Sequence, residues 1–319
     1  FMSKNKNLIA VDIGGTNVRV ALMNVQGEIL EKTSFDNDGE KDISIATKKL
    51  ISIIQVFQEK NDLIGIGISS AGPIDSNTGI YHHSPNLRKW HGKSMKVELE
   101  NETNLRIFFG HDATLAALAE VSFGEYKNSE NLIYITISTG IGGGIIANNN
   151  MITGNKGSIE LGHMIVNPGG EKCNIGCVGC LEGCASGPAI VNITKKLYDN
   201  YSDEDVLKKM TNLNKKNLNT KIIFDAEKMG SEISRKIVQD TLKHISTGII
   251  NLLNIFDPEV IILGGGVINS LENYWTELRI MSNKMALPGH RNTPIKTTSL
   301  GEDVCLIGAG VLVIKNTNF

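Results

Sequence analysis

No run of this sequence is apolar over anything like the roughly 20 residues that a membrane-spanning helix needs, and neither sign of charge dominates. Lys and Arg total 32 against 34 Asp and Glu, a formal net charge of −2. That removes any global drive toward nucleic acid or an anionic membrane. Cysteine is sparse: five in 319 residues, four of them between 173 and 184 and the fifth at 305. Secreted disulfide scaffolds spread cysteines over a small fold, so this pattern argues against that class and predicts a cytoplasmic chain with reduced thiols. The N-terminus, polar from Ser3 to Asn7, is short and does not read as a signal peptide. Two nucleotide motifs are also missing. No Gly-x4-Gly-Lys-Ser/Thr occurs, which excludes a P-loop, and no Gly-x-Gly-x-x-Gly opens a helix, which argues against a Rossmann site.

What is present is a plan used twice. Leu8–Ile13 is an apolar run that ends in Asp12-Ile13-Gly14-Gly15-Thr16-Asn17, and Val18, Val20 and Leu22 alternate after it. Leu132–Ile137 does the same, running through Ser138-Thr139-Gly140 and Gly142-Gly143-Gly144 into Ile145-Ile146-Ala147. Two strand–glycine–strand units about 125 residues apart predict an internal duplication. Around the first lie a helix over Asp42–Lys60, strands Ile64–Ser69 and Leu105–Phe109, and a helix Thr114–Phe123. Around the second lie helices Gly187–Asn200, Asp203–Lys209 and Asp225–Asn254, and a strand Val260–Leu263 that runs into Gly264-Gly265-Gly266. A helix Leu271–Met285, a strand Ile295–Ser299 and a terminal helix Val304–Ile314 complete the pattern. Lys208–Lys221 reads as a solvated connection. Alternating strands and helices predict an α/β chain with a mixed sheet in each half.

Three glycine turns each follow an apolar strand, and glycine lets backbone amides approach phosphate oxygens closely. A carboxylate at Asp12, beside the first turn, suits phosphate only with Mg²⁺ between them; its bland reading is a turn aspartate bonded to its own backbone. Asp112 opens a helix and reads equally as an N-cap or as a base for phosphoryl transfer. His163, Cys173, Cys177 and Cys180 offer four Zn²⁺ ligands within eighteen residues. Such a closed set would be structural; the alternatives are buried thiols, or Cys184 in place of one ligand. Glu160 and Glu182 flank the cluster.

Together these residues resemble the ROK family of sugar kinases, repressors and related proteins, over about residues 7–315. Asp12–Asn17 is similar to the family's first phosphate motif, Ser138–Gly144 to its second, and Leu263–Gly266 to its adenosine-side turn. Glu160-Leu161-Gly162-His163 and Gly179-Cys180-Leu181-Glu182 resemble the family signature. The resemblance implies an actin-like ATPase (ribonuclease H-like) fold with two domains around a central cleft. It divides the chain into 1–111 plus 305–319 and 112–304, with the zinc loop in the larger part and the last helix returning to the first domain. A homodimer or homotetramer is implied as well.

By the same resemblance Asp112 is the catalytic base for a sugar's 6-hydroxyl. Gly72, Asn86, His111, Glu160, His163 and Glu182 bind the sugar, His163 also holding zinc. ATP takes Asp12, Gly14, Gly15, Thr16, Asn17, Thr139, Gly140, Gly142, Gly264 and Gly265, with Mg²⁺. The expected partner is a small sugar, not nucleic acid or membrane. The first strand begins near Leu8, with no DNA-binding helix-turn-helix before it, which favours an enzyme over a repressor. Pro85-Asn86-Leu87 with Trp90 resembles the glucokinases, so glucose is expected first, N-acetylmannosamine or another N-acetylhexosamine second and fructose third. A sugar sensor without catalysis is the alternative of another class. Two positions depart from the family pattern: His111 stands where Asn is usual, and Cys-x3-Cys-x2-Cys replaces Cys-x-Cys-x4-Cys, with Ile175 at the middle cysteine.

Overall fold

The computed structural model describes residues 6–84, 86–154 and 159–317. The chain begins with β1 (Asn7–Ile13), β2 (Asn17–Asn24), β3 (Ile29–Asp36), α1 (Ile43–Gln58), β4 (Leu63–Ser70), α2 (Lys96–Thr103), β5 (Ile107–His111) and α3 (Asp112–Phe123). It continues with β6 (Leu132–Ile137), β7 (Ile141–Ala147), β8 (Asn150–Met151), α4 (Leu181–Ala185), α5 (Gly187–Leu197), α6 (Val206–Met210), α7 (Thr220–Lys228) and α8 (Glu232–Phe256). Last come β9 (Val260–Gly264), α9 (Gly266–Ser270), α10 (Trp275–Met285), β10 (Ile295–Thr297) and α11 (Val304–Asn316). The two sheets have the orders β3-β2-β1-β4-β5 and β8-β7-β6-β9-β10. Strand for strand these coincide, so the repeat seen at the glycine turns extends through both sheets. Two compact units result: Phe1–Glu130 with Gly144–Ile159 and Thr298–Phe319, and Asn131–Gly143 with Glu160–Thr297.

In the first unit β1 is the central strand, antiparallel to β2 and parallel to β4. Its Ile9, Val11 and Ile13 join a core with Leu50, Ile54 and Phe57 of α1. Its other side, at Leu8, meets α11 at Gly310. Burial on both faces explains an apolar run without alternation. Each large apolar side chain of α1 contributes about 1.5–3 kcal/mol by burial. That outweighs the helix's N-cap, Asp42 accepting from the Ser44 amide at 3.0 Å, which is worth about 1 kcal/mol. Packing, not capping, holds α1. Close approach fixes α11: a Cβ on Gly67 of β4 would lie 1.9 Å from the Ala309 carbonyl oxygen.

Several expectations need correction. The long helix over Asp225–Asn254 is two helices. Gly230, at φ +94°, ends α7, and Ser231 caps α8 by accepting from the Ser234 amide at 3.1 Å. Apolar periodicity runs through the break and hides it. The helix drawn from Leu271 starts at Trp275, after a short turn at Glu272–Tyr274. Lys208 is not solvated: it is 4% exposed, with its ammonium on the Tyr201 carbonyl at 2.6 Å and over the Tyr198 ring. Strand β3 and helix α2 were invisible because β3 is an exposed edge and α2 buries only Leu99 and Thr103. No helix among the described residues is long and apolar enough to cross a membrane.

Candidate active site

In the first unit the turn after β1 is closed by the Gly14 amide donating to the Asn17 carbonyl at 2.9 Å. The Asn37 side chain ties it down by donating to the Gly14 carbonyl at 2.8 Å. Thr16 and Asn17 are exposed. Gly15 is pressed against Asn86, whose carbonyl oxygen would be 2.9 Å from a Cβ there. Asp12 does not bond its own turn. One carboxylate oxygen accepts from Arg19 at 2.7 Å and the other from the Ser69 hydroxyl at 3.0 Å. Both oxygens are engaged, which suits a role toward Mg²⁺ through a coordinated water better than direct ligation.

Asp112 is the first residue of α3, and His111 holds the N-cap position without a side-chain capping bond. The bland N-cap reading of Asp112 therefore fails. Its Oδ1 accepts from the Ala113 amide at 2.6 Å and lies 3.4 Å from His111 Nδ1. His111 packs on Gly72: a Cβ on Gly72 would be 2.5 Å from the imidazole Cδ2. Gly72, His111 and Asp112 are thus brought together. Burial, then the carboxylates of Asp12 and Asp112, push the Cys305 thiol well up, with Arg19 pulling the other way. Both acids therefore act on one sulfur at the start of α11. Asn86 is exposed on the segment after Ser84, and Pro85 lies outside the described residues. Trp90 anchors that segment from inside the core, edge-on to Tyr81 at 5.1 Å, with its indole N–H donating to the Lys41 carbonyl at 3.2 Å.

In the second unit the signature residues and the second glycine turn form one piece. Glu182, in the first turn of α4, accepts from the Ile141 amide at 3.0 Å, and its Oε2 lies beside Gly140. Gly162 sits so close to β7 that a Cβ would be 2.1 Å from the Ile141 carbonyl oxygen. Glu160 precedes the short helix Leu161–His163 and is exposed. Gly142 lies in β7, Gly264 ends β9 and Gly265 leads into α9.

His163, Cys173, Cys177 and Cys180 place one ligand atom each within 4.8 Å of the others. Around a tetrahedral Zn²⁺ with bonds near 2.3 Å, sulfur atoms stand roughly 3.8 Å apart. The His163 Nδ1 to Cys173 Sγ distance is 3.9 Å, so the donor set fits zinc in both chemistry and size. The unusual spacing is solved by a tight hairpin. The Cys173 amide donates to the Cys177 carbonyl at 2.9 Å and the Gly176 amide to the Cys173 carbonyl at 3.0 Å, with Gly176 at φ +102°. Ile175, in the family's middle-cysteine position, is 62% exposed, and Cys177 takes its place. Cys180 caps α4, its sulfur accepting from the Gly183 amide. Since Nδ1 faces the sulfurs, His163 keeps Nε2 for another partner. Cys184 is not part of the set.

Two of the three glycine turns meet in one cavity of about 600 Å³, with Ser138, Thr139 and Gly266 at one end. Its walls come from α5 (Pro188, Val191, Asn192, Lys195) and from the entry to α7 (Leu218–Lys221). Sequence reading missed these walls. A signal was present in the i, i+3, i+4, i+7 spacing of the α5 residues and in Asn219 as the cap of α7.

Residues 8–316 match the ROK family. The glucokinase of Thermotoga maritima is 31% identical over 308 residues, 96% of each chain. A putative xylose repressor of a Caldicellulosiruptor species is 27% identical over 99% of this chain and 81% of its own. The ROK hexokinase of Thermus thermophilus superposes with a TM-score of 0.84 at 27% identity, covering 98% of this chain and all of the other. A ROK glucokinase of Streptomyces griseus, solved with glucose and AMPPNP, gives 0.78 at 27% identity over 97% and 99%. With the match spanning nearly every described element, both glycine-turn sheets and the His–Cys hairpin included, the chain belongs to the ROK family.

Proposed function

We propose that this protein is a sugar kinase that transfers the γ-phosphate of ATP to the 6-hydroxyl of a hexose, with glucose as the first substrate. The observation that carries the reading is the physical continuity of donor and acceptor residues in the second unit. Ser138 and Thr139 of the second glycine turn line the 600 Å³ cavity, and the turn is hydrogen-bonded through Ile141 to Glu182. Glucokinases of similar length and a ROK glucokinase solved with glucose and AMPPNP support the same choice.

In this reading Glu160, His163 and Glu182 hold sugar hydroxyls, with Asn86, Gly72 and His111 completing their set. His163 uses Nε2, its Nδ1 facing the sulfurs. Asp112 takes the proton of the 6-hydroxyl; the freed oxygen attacks the γ-phosphorus and ADP leaves. Thr139, Gly140, Gly142, Gly264 and Gly265 serve the nucleotide, and Gly14, Gly15, Thr16 and Asn17 its phosphates. Mg²⁺, when bound, neutralises phosphate charge, with Asp12 acting through water. Zn²⁺ at His163, Cys173, Cys177 and Cys180 is structural: it pins the hairpin that starts α4 and so sets the position of Glu182.

An ATP-consumption assay across glucose, N-acetylmannosamine, N-acetylglucosamine, mannose and fructose tests the reading. Highest kcat/KM for glucose is expected, and N-acetylmannosamine is the runner-up. No turnover with any sugar would favour the sensor reading, which the similarity to the xylose repressors supports.

A further inference from the structure

The cavity proposed for the phosphoryl donor has an unusual set of side chains at the end away from the glycine turns. Pro188, Val191, Asn192 and Lys195 form one stripe of α5, so Lys195 lies two helical turns, about 10 Å, beyond Pro188. Pro188, Val191, Leu218 and Val267 supply apolar walls against which the faces of a planar ring pack. Beyond the glycine turns the polar side chains lining it are Lys195, Lys221, Asn192, Asn219, Thr220 and Ser270, of which Asn219 caps α7 and Thr220 bonds the Gly187 carbonyl, and no carboxylate lines the cavity among the described residues. Lys221 is paired with Asp225 at 2.6 Å. Lys195 is exposed and makes no ion pair among the described residues.

An ammonium only donates hydrogen bonds. The six-position of adenine carries a donor, whereas guanine and hypoxanthine carry an acceptor oxygen there, beside the N7 acceptor. A site that selects adenine presents an acceptor to the amino group; here the charged group on the α5 stripe, Lys195, is a donor, and the neighbouring Asn192 amide can serve a donor or an acceptor edge equally.

We propose that the donor cavity does not select adenine. It takes a nucleoside triphosphate by its phosphates and by the faces of its base, and Lys195 favours base edges that carry acceptors, so guanosine and inosine triphosphates act as donors alongside ATP. The inference rests on the kinase reading for the identity of the cavity and goes beyond it in the donor class.

Calorimetric titration of the full chain with AMPPNP and GMPPNP, each with Mg²⁺, tests this without requiring turnover. Dissociation constants within about tenfold of each other are expected, because wall packing alone discriminates weakly. In Lys195→Glu, a carboxylate that accepts from the adenine amino group should shift the preference toward AMPPNP by about fivefold or more. A wild-type preference for AMPPNP beyond tenfold, or a smaller shift in Lys195→Glu, overturns the proposal. Lys195→Gln, which removes the charge without adding an acceptor charge, should fall between the two and guards against a folding defect in the glutamate variant. Binding of both nucleotides without phosphorylation of any sugar would defeat the kinase reading and leave this inference standing. Binding of neither would defeat both.

Discussion

The carboxylate of Glu182 accepts a hydrogen bond from the backbone amide of Ile141, 3.0 Å away. Ile141 is buried at the start of β7, so its amide has no water to turn to. One side chain therefore joins the cysteine hairpin to the second glycine turn while serving, in the proposed mechanism, a sugar hydroxyl.

Two substitutions separate those roles. Glu182→Gln keeps an acceptor for Ile141 and loses the charge, so the sugar KM should rise roughly tenfold or more with little change in melting temperature. Glu182→Ala also strands the Ile141 amide and should cost about 1–3 kcal/mol of stability. Kinetics paired with urea denaturation read both effects. Identical stability of the two variants would sink the structural half of the claim.

Asp112→Asn preserves the shape at the start of α3 and removes the proposed base. Turnover should fall by about 10²–10⁴, the usual scale of general-base catalysis. Sugar binding by calorimetry should persist. Unchanged turnover would remove Asp112 from the chemistry.

Zinc content should be close to one per chain by elemental analysis. Cys177→Ser and Cys180→Ser should each lose most of it and melt at lower temperature, and Cys184→Ser should retain it, because Cys184 lies outside the four-ligand set. Full metal content in Cys177→Ser would show that the hairpin is not closed by that sulfur.

Glu120 of α3 is buried, with the Thr298 hydroxyl on its carboxylate, and burial raises its pKa. The folded state therefore holds the proton at pH values where the unfolded chain has released it. Stability falls as pH rises through that window. Glu120→Gln keeps the shape and removes the buried charge. The variant should melt above the wild type near neutral pH, and the gain should fade as pH drops below the ordinary glutamate value of about 4.3, where the side chain is protonated in both the folded and the unfolded chain. Thermal melts at the two pH values check the sign.

Trp90→Ala should destabilise the fold by about 3–5 kcal/mol, since the indole is 1% exposed and packs against Tyr81. Chemical denaturation measures this loss directly.

Much of this architecture was legible in the sequence because it is written in strong signals. The runs Leu8–Ile13 and Leu132–Ile137 are buried strands, and each is followed by a turn that contains glycine. The ligand set His163, Cys173, Cys177 and Cys180 was named from residue chemistry alone, and the four side chains do converge. How they converge was not legible, because it depends on Gly176 in a left-handed conformation and on a hairpin register that spacing rules do not carry. Arg19 and Ser69 were also missed as partners of Asp12. Both reach it across strand pairs, Arg19 from β2 and Ser69 from β4, and register rather than local pattern sets that meeting. The break at Gly230 was missed because the apolar stripe continues on either side of it.

The packing of α11 has a consequence for the order in which the molecule is built. Leu8, Gly67 and Leu115 lie in its footprint, contributed by β1, β4 and α3. All three leave the ribosome long before residues 304–316 exist. Through most of synthesis the first sheet lacks the helix that covers this part of its apolar face, and the second unit, which runs to Thr297, is complete only just before α11 is made. Chaperone demand should therefore be concentrated on that waiting face, and a nascent chain stalled just short of α11 is the species to capture.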